Sequence, residues 1–196
     1  MMSVQVAMRQ TPCFGEVSSG DGVVVVTRAH GALIVVIDVL GHGEVAALLA
    51  REMEGFIKGC PAASVAGLME MVHQHFKGEL GAAITMLSID LERRRFQVVG
   101  VGNVMLRKHR LGKWLSFYAQ SGVVCEMIPT LVPLEGSVEE HDLFIVTSDG
   151  IRENIPLEEE HSLSCWSPSQ IAGYMMEHFA KHHDDATVVV ARCHYG

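Results

Sequence analysis

The sequence lacks the features that mark several classes of protein. It has no basic run and its formal net charge is −8, which argues against nucleic acid and anionic membrane surfaces as partners. Its five cysteines are scattered without a CxxC pair, so neither a disulfide framework nor a zinc knuckle is expected. Asp38, His42 and Glu44 interrupt the longest apolar region, which makes a membrane span costly. With no recognisable signal peptide, these absences predict a cytoplasmic protein.

The composition that remains is that of a folded domain. Of the 196 residues, 48% are hydrophobic and 19% are charged, which excludes an intrinsically disordered chain. No repeat, low-complexity tract or linker divides the sequence, and the length suits a single core. We therefore expect a single domain over residues 1–196.

Hydrophobic patterns predict more strands than helices. The nearly continuous apolar runs at Val23–Thr27 and Leu33–Ile37 are typical of strands buried on both faces. Helical patterns occupy Glu44–Lys58, the segment after Ser64, and the segment that begins at Ser167. Further strands are predicted at Ala83–Asp90, Arg95–Val101, Val104–Arg110, Leu115–Ala119, Val123–Ile128, Asp142–Thr147 and Val188–Ala191. This order of elements favours an α+β fold over an alternating parallel one.

Acidic residues stand at the ends of the predicted strands. Asp21 precedes one strand, Asp38 and Asp149 close two others, and Asp184 and Asp185 open the last. Each aspartate taken alone is readily explained as a turn residue. However, an unpaired carboxylate beside a buried apolar strand costs several kcal/mol, so pairing or metal binding is expected. If the strands share one sandwich, the acids meet at one edge, and their oxygen ligands suit Mg²⁺ or Mn²⁺.

Three motifs resemble those of the metal-dependent type-2C protein phosphatases, the PPM family, in the same order. They are Asp38-x-x-Gly41-His42-Gly43, Thr147-Ser148-Asp149-Gly150 and Asp184-Asp185-Ala186-Thr187. The tripeptide Ser19-Gly20-Asp21 resembles the opening acidic motif of the short bacterial SpoIIE/RsbX branch. The resemblance implies an αββα sandwich, in which two antiparallel β-sheets pack face to face and are flanked by helices. It also implies a phosphoserine/phosphothreonine phosphatase that uses a metal-activated water, with phosphorylated STAS-domain proteins of the stressosome as substrates.

The resemblance also implies roles for particular residues. Asp38 would bridge two Mn²⁺ or Mg²⁺ ions, helped by the backbone carbonyl of Val39. Asp149 and Asp184 would complete the first metal site and, with Asp38, form the catalytic set, whereas Asp21 would reach the second ion through water. The residues predicted to touch phosphate or to orient the ligands are Gly41, His42, Gly43, Asn103, Gly150 and Asp185. For His42 a structural turn role, and for Asn103 a plain hairpin, are open alternatives.

Two departures from the family pattern keep other functions open. Val39 stands where the family usually has glycine, and its stiffness leaves the geometry of the second metal in question. A catalytically silent regulator that binds a phosphoprotein is therefore the alternative function. Leu40 stands where eukaryotic-type members carry a histidine, so no general acid is assigned. A histidine-kinase-type ATPase is disfavoured, because Gly41 and Gly43 are spaced wrongly from Asp38 for its glycine box.

Overall fold

The computed structural model describes residues 2–60, 64–156 and 165–195. The helices are α1 (Glu44–Gly59), α2 (Val65–His75) and α3 (Pro168–Phe179). The strands are β1 (Met2–Thr11), β2 (Asp21–Arg28), β3 (Gly31–Val39), β4 (Ala82–Asp90), β5 (Arg95–Val101), β6 (Met105–Arg110), β7 (Lys113–Phe117), β8 (Leu134–Ser137), β9 (Leu143–Thr147) and β10 (Ala186–Tyr195). None of the helices in these ranges is both long and apolar enough to cross a membrane.

The strands form two antiparallel sheets that pack face to face. The first sheet has the order β2-β3-β4-β5-β8 and the second has the order β1-β10-β9-β6-β7. Helices α1 and α2 cover the outer face of the first sheet, and α3 covers the outer face of the second. A separate core lies between the sheets. The predicted αββα sandwich is confirmed.

The alternation of side chains along β3 explains why its sequence is apolar throughout. Ile34 and Val36 pack into the core between the sheets, whereas Val35, Ile37 and Val39 pack against α1 and α2. Successive side chains of a strand point to opposite faces, so a strand between two apolar layers needs apolar residues at every position. Asp38 lies two residues after Val36 on the same strand, so the same alternation directs its side chain towards the second sheet.

Most predicted elements are confirmed, and the helices begin where their caps indicate. The Ser64 side chain accepts a hydrogen bond from the Gly67 N–H, and Ser167 and Gln170 form a capping box. The strand predicted over Val123–Ile128 is wrong, because Cys125 has a φ of 79° and turns the chain, which leaves isolated bridges from Val123 to Met127 and from Val124 to Ala82. The patterns also missed β1 and β8.

A buried cluster of charged residues stabilises the sandwich near the end of β6. Asp142 is fully buried, and its carboxylate lies 2.9 Å from Lys108 Nζ and 2.6 Å from Arg110 Nε. The backbone N–H of Glu139 also donates to it, at 2.9 Å. Burial pushes the pKa of Asp142 upward, but the hydrogen bonds from Arg110 and Lys108 outweigh that effect and hold the pKa below its usual value.

Removing this carboxylate is expected to be costly. Asp142→Ala leaves Lys108 buried and unpaired, so we expect a loss of about 3–5 kcal/mol in the free energy of unfolding. In contrast, Glu139→Ala breaks only an exposed pair with Arg94, which contributes about 0–1 kcal/mol. Urea unfolding of both variants measures the difference.

The stability lost in Asp142→Ala is expected to become smaller as the pH falls. Because the pKa of Asp142 is lowered in the folded state, its contribution is complete above the unfolded pKa of about 3.9 and disappears as pH falls through the folded value. The gap between wild type and Asp142→Ala should therefore narrow in acid below about pH 4. A gap that stayed constant down to the acid transition would contradict the assignment.

Candidate metal centre

The predicted acids come together at one end of the sandwich. Asp21 begins β2 and pairs directly with Asp38 at the end of β3. In the second sheet, Asp149 follows β9 and Asp184 precedes β10, and the antiparallel register of these strands brings the two residues to the same end. Asp38 is close enough to Asp21, Asp149 and Asp184 to feel the charge of all three. The two sheets therefore each supply two carboxylates to one cluster.

Burial and mutual repulsion disfavour the charged forms of these acids. Burial, and then the charges of Asp21, Asp149 and Asp184, raise the pKa of Asp38 to about 8. Burial raises the pKa of Asp21 to about 7, although a hydrogen bond from Ser148 acts in the opposite direction. Burial and the charge of Asp184 also raise the pKa of Asp149. Carboxylates held this close need a positive partner if all are to be ionised.

The available donor atoms fit a divalent cation. Asp21 Oδ2 accepts a hydrogen bond from Ser148 Oγ at 2.7 Å, whereas Asp21 Oδ1 is buried without a hydrogen-bond partner. A buried unpartnered oxygen calls for an ion or an ordered water, and an all-oxygen set suits Mg²⁺ or Mn²⁺. Across the described ranges no three acidic, His or Cys side chains already have the arrangement of a ligand set, so some side-chain movement accompanies metal binding.

The adjacent acids Asp184 and Asp185 are placed for different tasks. Asp185 is buried, and its two oxygens accept hydrogen bonds from the Cys13 N–H and the Gly20 N–H, each at 2.7 Å. These bonds tie the loop before β2 to the start of β10. Asp184 is half-buried and accepts at Oδ1 from the Asp185 N–H, at 3.0 Å. The roles of Asp184 as a ligand and of Asp185 as an orienting residue stay predictions, and this arrangement is compatible with both.

Asp149 is held by Asn103, for which the sequence left a plain hairpin open, and by Lys181, which the sequence analysis did not single out. Asn103 Nδ2 donates to Asp149 Oδ2 at 2.7 Å, so the hairpin residue does reach the cluster. The Lys181 ammonium donates to the backbone carbonyl of Asp149, a contact that no motif signals. At Gly150, an added Cβ would lie 1.9 Å from the Asp185 carbonyl oxygen. Glycine is therefore needed there so that the turn after β9 can approach β10.

Ser148 connects the two sheets beneath the cluster. It is buried, donates to Asp21 in the first sheet, and accepts from the Thr187 N–H in the second at 2.9 Å. A serine that follows an apolar strand is usually a turn residue, so no sequence pattern singles it out. Its position fixes the distance between the strand ends that carry the acids.

The predicted phosphate-contacting turn lies at the rim of the cluster. Gly41 and Gly43 have φ values of 93° and 82°, which reverse the chain between β3 and α1. The exposed His42 lies between them, with Nδ1 2.9 Å from Glu16 Oε1. This contact agrees with a turn role for His42, and contact of these three residues with phosphate stays a prediction.

Val39 does not intrude on the carboxylates. Its side chain is 1% exposed and packs with Ile37 and Ala82 in the core beneath the helices. Because neighbouring side chains of a strand face opposite ways, the bulk of Val39 points away from Asp38. The departure from glycine is therefore accommodated by the core, and the backbone carbonyl stays a candidate ligand.

The contacts of Asp185 lead to a prediction about metal affinity. Asparagine at this position has one carbonyl oxygen for two N–H donors, so Asp185→Asn should release either Cys13 or Gly20. Loss of such an orienting partner typically weakens metal binding by about 10–100-fold. Calorimetric titration with Mn²⁺ tests this. The matched control is Asp90→Asn, which alters a carboxylate that accepts the Arg93 N–H in the turn after β4; equal effects of the two changes would refute the assignment.

The family is decided by comparison with known proteins. A family model described as Stage II sporulation protein E (SpoIIE) matches residues 28–194. The chain belongs to the SpoIIE family. Together with its similarity to a phosphoserine phosphatase over nearly its whole length, this makes the chain a protein phosphatase, and the family resemblance seen in its motifs is confirmed.

Individual relatives of this SpoIIE-family chain align with it over most of its length. Phosphoserine phosphatase RsbX of Bacillus subtilis (strain 168) is 24% identical over 191 residues, which cover 96% of this chain and 94% of that protein. A solved structure of RsbX in complex with magnesium has a TM-score of 0.83 and 23% identity, covering 97% of this chain and 96% of that one. The catalytic domain of the serine/threonine phosphatase PstP with two manganese ions has a TM-score of 0.74 and 16% identity, with complete coverage of both.

A further solved structure comes from work on the bacterial stressosome as a modular system for controlling secondary messenger signalling. It is 25% identical, with a TM-score of 0.87, and covers 98% of this chain and 100% of that chain. The RsbX and PstP structures, at lower identity, establish the fold that this chain shares with them.

Proposed function

We propose that this protein hydrolyses phosphoserine and phosphothreonine on phosphorylated STAS-domain proteins of a stressosome, in the cytoplasm. The observation that carries the proposal is the meeting of Asp21, Asp38, Asp149 and Asp184 at one end of the sandwich. Similarity to RsbX, a phosphoserine phosphatase, and to the stressosome structure supports the substrate class. All five cysteines are free thiols, which suits a reducing compartment.

The four carboxylates and the Val39 carbonyl are proposed to hold two Mg²⁺ or Mn²⁺ ions. Bound ions of this kind supply a nucleophilic water at neutral pH and neutralise charge on phosphoryl oxygens. The magnesium in the RsbX structure and the two manganese ions in the PstP structure support this choice of metals. Asp38 would serve both ions, Asp149 and Asp184 the first, and Asp21 the second.

The contribution of the chain itself is to fix these carboxylates before substrate arrives. Asn103 holds Asp149, Ser148 holds Asp21, and the hydrogen bonds of Asp185 anchor the loop that leads into β2. These hydrogen bonds limit how far the carboxylates have to move when metal binds, and less reorganisation lowers the barrier. The cluster lies at the end of the sandwich beside an exposed turn, so a phosphorylated side chain on a folded protein can reach it.

A catalytically silent phosphoprotein-binding regulator is the competing function. Val39 is the feature that permits it, and the packing of Val39 away from the cluster weakens it. The two functions differ in one measurement, because only an enzyme releases phosphate when metal is added.

The proposal is tested with a serine-phosphorylated STAS-domain protein, followed by mass spectrometry of the intact substrate. We expect dephosphorylation with Mn²⁺ or Mg²⁺, none after chelation with EDTA, and recovery when metal is restored. The same protein phosphorylated on tyrosine serves as the matched control and should stay intact. Tight binding of the phosphoserine form without turnover at any Mn²⁺ concentration would instead establish the silent regulator.

A further inference from the structure

Five large apolar side chains are exposed on the segments that adjoin the carboxylates along the chain, namely the loop before β2, the turn after Asp38 and the start of α1. We call this surface the apolar rim and define it as Phe14, Val17, Leu40, Val45 and Leu48, whose exposed fractions are 88%, 97%, 49%, 70% and 54%. Exposed apolar side chains that occur singly are ordinary, whereas a group of them in one place marks a site of protein association. The rim therefore needs an explanation that the fold alone does not provide.

Contacts near the cluster hold the two parts of the rim together. Phe14 and Val17 belong to the loop that Asp185 ties to β10, and Leu40, Val45 and Leu48 fall within the ten residues after Asp38. Glu16 joins the two parts, because its Oε1 lies 2.9 Å from Nδ1 of the histidine at position 42. The rim is thus continuous with the turn between β3 and α1.

Apolar exposure is unevenly distributed along helix α1. Its inward face carries residues such as Leu49 and Met53, which are buried. On the outward face, Val45 and Leu48 lie one turn apart at the end near the acids. The far half of the same face exposes Arg51, Glu52 and Lys58, as a solvated helix normally does. The apolar part of α1 is confined to the half that flanks the cluster.

We propose that the apolar rim docks the folded protein substrate on either side of its phosphorylated residue. This inference rests on the proposed function. A folded protein whose phosphorylated side chain reaches Asp38 must lie over the adjoining turn and the start of α1, and so over the rim. A second copy of this chain, or a disordered acidic segment, does not have to place a phosphorylated residue at the acids, so neither has to cover this surface.

Charge supports an apolar docking surface rather than an ionic one. The chain has a formal net charge of −8, and a phosphorylated residue adds about −1.5 to −2. Long-range electrostatics therefore oppose the approach of the substrate, apart from the local attraction of bound cations. Affinity for the protein part of the substrate has to come from contacts that charge does not weaken, which apolar side chains provide.

The experiment compares two substrates and two double variants. Val45→Ser/Leu48→Ser removes two apolar side chains of the rim, and Leu111→Ser/Leu115→Ser removes two others that are 92% and 58% exposed on the hairpin of β6 and β7. Steady-state kinetics with Mn²⁺ are measured on a serine-phosphorylated STAS-domain protein and on p-nitrophenyl phosphate. For the rim variant we expect KM for the phosphoprotein to rise about tenfold or more, with kcat/KM for p-nitrophenyl phosphate unchanged. The control variant should change neither.

Each other outcome has a definite meaning. An unchanged KM for the phosphoprotein in the rim variant would overturn the docking proposal, and so would equal losses on both substrates. Dissociation of a wild-type dimer by the rim substitutions, seen by light scattering, would assign the rim to self-association and also overturn it. Failure of wild type to hydrolyse either substrate would overturn the proposed function itself, a result distinct from any effect confined to the phosphoprotein.

Discussion

Asp38→Asn is expected to abolish metal-dependent phosphate release while leaving the protein folded. Asp38 feels Asp21, Asp149 and Asp184 at once, so it is the carboxylate placed to share an ion with each of the other three. An asparagine has one neutral carbonyl oxygen in place of two anionic ones. Losing several kcal/mol of transition-state stabilisation from the metals corresponds to a fall in kcat of about 1,000-fold or more.

The fold should survive the same change, and thermal unfolding measures this separately from activity. Asparagine has the size of aspartate and is neutral, so it avoids the cost of burying Asp38 among other acids, which raises the pKa of Asp38 to about 8. In EDTA the melting temperature of Asp38→Asn should therefore equal or exceed that of wild type. Asp90→Asn, an equivalent change in the turn after β4, should alter neither activity nor melting temperature. Normal turnover by Asp38→Asn would reject the metal centre. A melting temperature in EDTA below that of wild type would contradict the expectation that the substitution removes an electrostatic cost of folding.

The course of β3 shows what local sequence can predict. Its apolar residues alternate between two cores, and the glycines after Asp38 mark the turn into α1. Each of these features is set by residues close in sequence, so patterns and spacing predict them. The order of the acidic motifs then predicts which strand ends belong together.

The contacts that orient the acids could not be predicted in this way. Ser148 reaches Asp21, and Asp185 reaches Cys13 and Gly20, across more than a hundred residues of chain. Such pairings depend on how one sheet is positioned against the other, and no local pattern encodes that. Only the family resemblance suggested that Asp185 orients its neighbour.

Two errors in the secondary structure predicted from the sequence have the same kind of cause. Strand β1 pairs along its whole length with β10 at the other end of the chain, so its half-exposed sequence carries little strand signal by itself. The segment around Cys125 has apolar residues typical of a strand, but the positive φ of that cysteine turns the chain. Tertiary pairing decides both cases, and it overrides local propensity.

Mn²⁺ is expected to raise the melting temperature of the EDTA-treated protein by about 5–10 °C. The physical reason is that the ligands come from both sheets, with Asp21 and Asp38 on one and Asp149 and Asp184 on the other, so bound metal joins the two layers. At a metal concentration near 100 times Kd, binding stabilises the folded state by about 2.7 kcal/mol. For a chain of this size, each kcal/mol corresponds to a shift of about 2–4 °C. Thermal unfolding with added Mn²⁺, Mg²⁺ or EDTA measures the effect.

The variant Asp149→Asn separates this cross-sheet effect from weak binding of metal elsewhere on an acidic surface. It removes a ligand from the second sheet but leaves Asp21 and Asp38 in the first, so the Mn²⁺-induced rise should largely disappear together with turnover. The Asp90→Asn control should keep the full rise. If Mn²⁺ stabilised Asp149→Asn as much as wild type, Asp149 would not hold the ion, and its place in a metal centre that bridges both layers would fail.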